Sequence, residues 1–349
     1  MKYFDLSLVS LLYACDNHDQ DKVQDTFPSP KIENIATEPL SNERYIHRIS
    51  IALLGRPAFV HEIDNWKEKE DQQIIAEILD QTEAYEQLTF LFEQWLLTRV
   101  EDFNLTYEDY HLEEALSYDF MYSIGQEAPR LMSFVATQDR PWTEVVTADY
   151  TLSNDLLLNI WPLERLESQD SQDDNQNWFL AKYTDSRPAG GVLMTNGLWW
   201  RYYTTPHNYS RTRAMALTDL FLCENYLLKP IKFSAPSLLE RDALNEVIQS
   251  DEACIGCHST LDPIASALFG FWWFDLYDVT EMTYYHPERE PLGMYYLNLQ
   301  ASFFGQPLES PAQLGQSIAQ DPRFERCSTE RLASLLWKRD VSLIKHWIR

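Results

Sequence analysis

Glycine is scarce, with 10 residues in a chain of 349. It alone enters the left-handed backbone region without steric cost, so tight turns and phosphate-cradling loops depend on it. A supply this small argues against an all-β chain and against a dinucleotide-binding fold. Positive charge is also short: 28 Lys and Arg stand against 54 Asp and Glu, a formal net charge of −26. Such a surface repels phosphate backbones, which excludes nucleic acid as a partner, and it suits a protein partner with a basic docking patch. Beyond the N-terminus no apolar run approaches the ~20 residues that a membrane-spanning helix needs. No catalytic triad, phosphate loop or internal repeat is visible. What is present is a hydrophobic share of 45%, including 11 Trp, 19 Tyr and 17 Phe. These numbers point to a mainly α, multi-helix globular protein.

The first fifteen residues have the layout of an export signal. Lys2 supplies a minimal positive region and Leu6 to Leu12 a short apolar stretch. Leu12-Tyr13-Ala14-Cys15 then resembles a bacterial lipobox, in which the cysteine takes the lipid. Residues 1–15 are therefore expected to be a lipoprotein signal peptide. Residues 16–40, polar and carrying Pro28 and Pro30, are expected to be a flexible tether. The expected location is the bacterial cell envelope, as a periplasmic or outer-membrane lipoprotein, with membrane contact through lipid on Cys15.

Helical periodicity begins at Asn42 and runs through Ile46, Ile49 and Leu53 to a stop at Gly55-Arg56-Pro57. Further helices are expected over His61 to Trp66, Gln72 to Leu79, Tyr85 to Leu97 and Leu112 to Phe134. Glu167 to Gln176 has loop composition. From Arg187 the chain turns aromatic. Ser210 to Leu227 has helical spacing with Ser210 as a plausible cap, and other helices are expected near Leu238 to Ile248 and from Phe324 to His346. Two domains follow: a helical N-terminal one over 41–186 and a second helical one over 187–349, which carries the segment from Cys254 to His258.

Four of the five cysteines remain to be placed. Cys254-Ile255-Gly256-Cys257-His258 is the attachment pattern for c-type haem. Two thiols must add to the two vinyl groups on one porphyrin edge, and the next residue must offer an imidazole to the iron. One helical turn beginning at the first cysteine does both, with His258 as the proximal ligand. A structural zinc site is the rival, with Cys223 and Cys327 completing four thiolates. Left over in an oxidising compartment, Cys223 and Cys327 are instead expected to pair as a disulfide, and two buried thiols are the alternative.

The sixth iron position decides between electron transfer and small-molecule chemistry. Met194 and Met215 are the first candidates to fill it, and His207 the third. Arg187, Arg211 and Arg213 are candidate partners for the haem propionates, because a guanidinium fork matches a carboxylate. Trp199, Trp200, Trp272 and Trp273 are equally suited to wall a porphyrin or to fill an ordinary core. Asp262-Pro263 is expected to end the haem helix.

Several segments together resemble a family of exported predicted c-type cytochromes of planctomycete and myxobacterial type, built from domains of unknown function. The likeness runs from Arg48-Ile49-Ser50-Ile51-Ala52-Leu53-Leu54-Gly55-Arg56-Pro57 to Arg140-Pro141-Trp142-Thr143-Glu144-Val145-Val146-Thr147-Ala148-Asp149-Tyr150-Thr151. It continues through the turn Arg187 to Thr195, the helix Ser210-Arg211-Thr212-Arg213-Ala214 leading to Phe221-Leu222-Cys223, and the segment Cys254 to Pro263. Phe324 to Cys327 is similar to the family's cysteine-bearing last helix. After Asp262-Pro263 an acidic residue usual in the family is replaced by apolar bulk, in Ala267 to Asp275. The resemblance implies a mainly helical exported protein with one covalent haem c. The expected function is electron transfer by a lipid-anchored monohaem cytochrome, alone or as a subunit of a larger oxidoreductase. A haem enzyme with an open sixth position and a surface interaction protein with structural haem or zinc are the alternatives.

Overall fold

The computed structural model describes residues 40–99, 106–167, 178–205, 207–228, 248, 252–274 and 278–339. The signal peptide, Cys15, nearly all of the tether, most of the loop at Glu167 to Gln176 and the helix expected near Leu238 lie outside these residues. The chain is mainly helical, as its composition implies. Its described residues divide into two compact units, one of those up to Gln87 together with those from Leu332, the other of those between Leu88 and Arg331. The boundary expected between residues 186 and 187 falls inside the second unit.

The first unit opens with α1 (Asn42–Leu54), α2 (Val60–Trp66) and α3 (Asp71–Leu79), followed by the start of α4 (Thr82–Leu96), whose residues from Leu88 belong to the second unit. Gly55 ends α1 with φ 69, the left-handed cap that a side chain would strain. Ile46, Leu54, Trp66, Ile74, Ile78 and Ala84 form its core. Arg56 grips both oxygens of Glu62 at 2.9 Å, and Glu62 also accepts the Phe59 amide at 2.7 Å, which starts α2. The Gly-Arg-Pro stop seen in the sequence is thus a helix end whose arginine holds the carboxylate that caps the next helix.

The second unit is built around α5 (Ser117–Thr137), whose residues from Ser123 to Val135 are all buried. Ser133, Gln126 and Arg130 are among them and must find polar partners. Gln126 donates to Glu93 at 2.7 Å and accepts from Arg130 at 2.7 Å, and Thr89 donates to Ser133 at 2.9 Å. Against α5 lies a three-stranded antiparallel sheet of order β1-β3-β2, from β1 (Thr151–Ser153), β2 (Leu163–Arg165) and β3 (Phe179–Tyr183). Leu152 pairs with Leu180, and Glu164 with Lys182. The short helices α6 (Glu144–Thr147), α7 (Asp155–Ile160) and α8 (Asn196–Arg201) complete this side.

The remaining helices are α9 (Arg211–Leu222), α10 (Glu252–Ser266), α11 (Val279–Thr283), α12 (Leu292–Leu297), α13 (Ala312–Gln320) and α14 (Pro322–Trp337). A hairpin of β4 (Ser302–Phe303) and β5 (Gln306–Pro307) precedes α13. Helix α10 packs against α9, α12 and β4. Cys223 and Cys327 form a disulfide, joining the end of α9 to α14. No described helix is long and apolar enough to cross a membrane.

Two local expectations are corrected. Ser210 does not cap α9: its side chain makes no cap hydrogen bond and its backbone is left-handed, φ 60. Asn208 does this work instead, accepting the Thr212 amide at 2.8 Å. Asp262-Pro263 does not end the helix that carries Cys254 to His258 either, since Pro263 lies within α10, which continues to Ser266. The proline forfeits only its own N–H bond to the carbonyl of Ser259.

Candidate functional site

Helix α10 carries Cys254, Cys257 and His258 at positions i, i+3 and i+4, which places them on one face. Leu261 and Asp262 extend the same stripe inward, both buried, while Cys254, Cys257 and His258 are half-buried. Ile255, Gly256 and Ser259 are exposed. The site is a helix face that begins at the protein surface and ends in its core. Cys254 and Cys257 are thiols outside any disulfide.

His258 is held by its own helix. Its Nδ1 lies 2.8 Å from Oδ1 of Asp262, one turn further on. Asp262 is 1% exposed and receives a second clasp from α9, where Arg211 donates from Nε at 2.8 Å and Nη2 at 2.9 Å to the two oxygens. Burial alone raises the Asp262 pKa. The hydrogen bonds from His258 and Arg211 outweigh it and hold the carboxyl below its ordinary value. Arg211 is itself mostly buried and lies 5.5 Å from the Tyr209 ring. Tyr209 in turn stacks at 5.5 Å on both Trp272 and Tyr296, next to Phe269, in a set of nearly parallel rings.

The three candidate propionate partners have different fates. Arg187 is saturated by the protein: Nε and Nη2 grip Asp185 at 2.9 and 2.6 Å, and Nη1 donates to the Met194 carbonyl at 2.6 Å and Asn196 at 3.1 Å. Arg211 is committed to Asp262. Arg213 is fully buried, donating to the carbonyls of Tyr202 at 3.3 Å and Phe271 at 2.6 Å, with its guanidinium over Trp273 at 4.3 Å. Burial without a carboxylate lowers its pKa to about 9. Its Nη2 has no hydrogen-bond partner among the described residues. Arg213 thus keeps an unused donor, buried in the core.

Met194 is buried in a short 3-10 turn beside Gly190, with its methyl over the Gly190 Cα. Met215 is half-buried on α9, one turn beyond Arg211, on the helix that packs against α10. His207 is exposed in the turn ahead of α9. The tryptophans serve the core: Trp199 donates to the Leu193 carbonyl at 2.7 Å and Trp200 to that of Met282 at 3.1 Å.

Among the described residues no three His, Cys, Asp or Glu side chains converge to hold a metal ion. The expectation of a metal-binding protein is corrected: the side chains of the described residues alone build no site for iron or zinc. The zinc alternative falls with it, because Cys223 and Cys327 are consumed by their disulfide and supply no thiolates. A haem asks for something different, since the porphyrin furnishes four of the iron's ligands. From the chain it needs two thiols and an imidazole on one helix face. Cys254, Cys257 and His258 are of the types and spacing that need asks for, and with Nδ1 against Asp262 it is Nε2 that would be available to iron.

Spacing alone missed Asp262 as a partner of His258, although a His and an Asp four residues apart on a helix were a readable signal. No protein-family model, curated protein or solved structure matches this chain.

Proposed function

We propose that the protein is an exported, lipid-anchored monohaem c-type cytochrome that transfers electrons, alone or as a subunit of a larger oxidoreductase, in the family its motifs resemble. One observation carries the reading: Cys254, Cys257 and His258 share a face of α10, with the His258 ring already oriented by Asp262. Cys254 and Cys257 would attach the haem through thioethers and His258 would be its proximal ligand. Bound there, the haem supplies a one-electron ferric/ferrous couple. The chain would orient the imidazole through Asp262 and Arg211, and Arg213 has a donor to spare for a propionate. The Cys223–Cys327 disulfide supports an oxidising compartment such as the bacterial envelope, with the lipid on Cys15 as the membrane link. The excess of acidic residues suits a redox partner with a basic docking patch.

The test is a pyridine haemochrome spectrum of chain made in a periplasm equipped for cytochrome c maturation, after acid–acetone extraction. Haem is expected to stay with the wild-type chain and to be lost in the double variant Cys254→Ser/Cys257→Ser. A wild-type chain that is colourless under these conditions refutes the reading.

A further inference from the structure

Between the haem-attachment stripe and the core, three side chains from two helices form a chain of contacts. His258 meets Asp262 at 2.8 Å, and Asp262 is gripped at both oxygens by Arg211, 51 residues earlier. The carboxylate is 1% exposed, so water does not compete for it. A buried carboxylate beside a neutral imidazole accepts its N–H, since an ionised carboxylate has no proton to give. That bond selects the tautomer with hydrogen on Nδ1. Free imidazole of a histidine side chain prefers the opposite tautomer, with hydrogen on Nε2, which cannot ligate iron.

We propose that Asp262, clamped by Arg211, is the positioning residue of the site: it holds His258 with its proton on Nδ1 and its Nε2 lone pair outward, and places negative charge behind the ligand. The proposal rests on the haem reading for its purpose, but the tautomer is a property of the chain itself. Arg211 is therefore assigned to the proximal clamp rather than to a propionate. Negative charge on the proximal side favours ferric over ferrous iron. The two oxygens held by the guanidinium fork stop the carboxylate from rotating away, so the imidazole plane is fixed as well.

The experiment has two arms. In the first, the full chain is made without haem, with 15N in its histidines, and the His258 tautomer is read from long-range proton–nitrogen correlations at a pH where the ring is neutral. Hydrogen on Nδ1 is expected in the wild type. In Asp262→Asn the Nδ1–H to Nε2–H ratio is expected to fall by about tenfold, because a hydrogen bond to a charged acceptor is replaced by a weaker one. A wild-type His258 with hydrogen on Nε2 overturns the proposal, even if the variant fails to fold. An unchanged ratio in a folded variant overturns it too.

In the second arm, haem-loaded wild type and Asp262→Asn are compared by redox titration and by the iron–histidine stretch. The variant's ferrous-to-ferric ratio at fixed potential is expected to rise about tenfold, or about 59 mV for a one-electron couple. Its stretch is expected to shift to lower frequency. Asp262→Glu is expected to recover part of both, which a merely structural role would not predict. Identical potentials and stretches overturn the proposal. A wild-type chain that takes no haem, yet carries hydrogen on Nδ1, sinks the haem reading alone and leaves the clamp standing.

Discussion

Tyr183 donates its phenolic hydrogen to the buried carboxyl of Glu127 at 2.7 Å, tying β3 to α5. The same oxygen of Glu127 accepts from Thr151 of β1 at 2.9 Å. One carboxyl thus fastens two strands of the sheet to the central helix, where it is 0% exposed. Burial disfavours its charged form and pushes its pKa up to about 7, against the pull of the Tyr183 hydrogen bond and the Arg187 charge.

That position gives stability a pH dependence with a definite sign. A carboxyl whose pKa rises on folding, from about 4.3 when exposed, holds its proton more tightly in the native state. Its contribution is whole below about pH 4 and is lost as the pH climbs through about 7, a change on the order of a few kcal/mol. Glu127→Gln keeps an acceptor for both hydroxyls and cannot ionise. Urea unfolding at pH 5 and pH 8 is expected to show the wild type losing ground to Glu127→Gln over that interval. Parallel curves for the two proteins would mean that Glu127 ionises in the fold at no cost.

Much of the helical frame was legible because local signals govern it. Asn42 to Gly55 announces its start, its apolar stripe and its left-handed stop within fourteen residues, and α1 follows it closely. The shared face of Cys254, Cys257 and His258 on α10 was legible for the same reason, its spacing being a helix repeat. What the sequence hid are partnerships that only tertiary packing creates. Arg211 had a chemically sound use as a propionate partner, and nothing local says that Asp262 would claim it across 51 residues. Ser210 is a good cap by type. The chain enters α9 through a left-handed backbone at Tyr209 and Ser210, φ 55 and 60, and Asn208 is the residue placed to cap. Pro263 reads as a helix breaker, yet the α10 contacts with α9 and α12 override one lost backbone bond.

The disulfide offers a second prediction. Cys223 sits at the end of α9 in the left-handed region, φ 55, where glycine is the usual occupant. A side chain is needed there because its sulfur is bonded to Cys327, 104 residues away. Closing a loop of that length restricts the unfolded chain by an amount on the order of 4–5 kcal/mol. The double variant Cys223→Ala/Cys327→Ala is expected to unfold at clearly lower urea concentration than the wild type. Adding reductant is expected to lower the wild-type midpoint and leave the variant's unmoved. A midpoint indifferent to both changes would rule out the disulfide as a stabilising tie.

Two glycines make opposite predictions, and the contrast tests the packing directly. The amides of Gly190 and Gly191 both donate to the Ala148 carbonyl, at 3.0 and 2.9 Å. This brings together two sequence elements, Arg140 to Thr151 and Arg187 to Thr195, that are far apart along the chain. A Cβ on Gly191 would lie 2.1 Å from the carbonyl oxygen of Val145, and the residue has φ +54. Backbone blocks the space and the dihedral disfavours any side chain, so Gly191→Ala is expected to cost about 2–4 kcal/mol. Gly256 lies between the two cysteines of α10, and a Cβ there would meet nothing within 4 Å. Its replacement by alanine is expected to be neutral or to stabilise by up to about 1 kcal/mol through helix propensity. Thermal melts of the two single variants read both outcomes. If Gly191→Ala melts with the wild type, the two elements do not meet as closely as this packing requires. If Gly256→Ala melts far below it, the face of α10 between the thiols is not open.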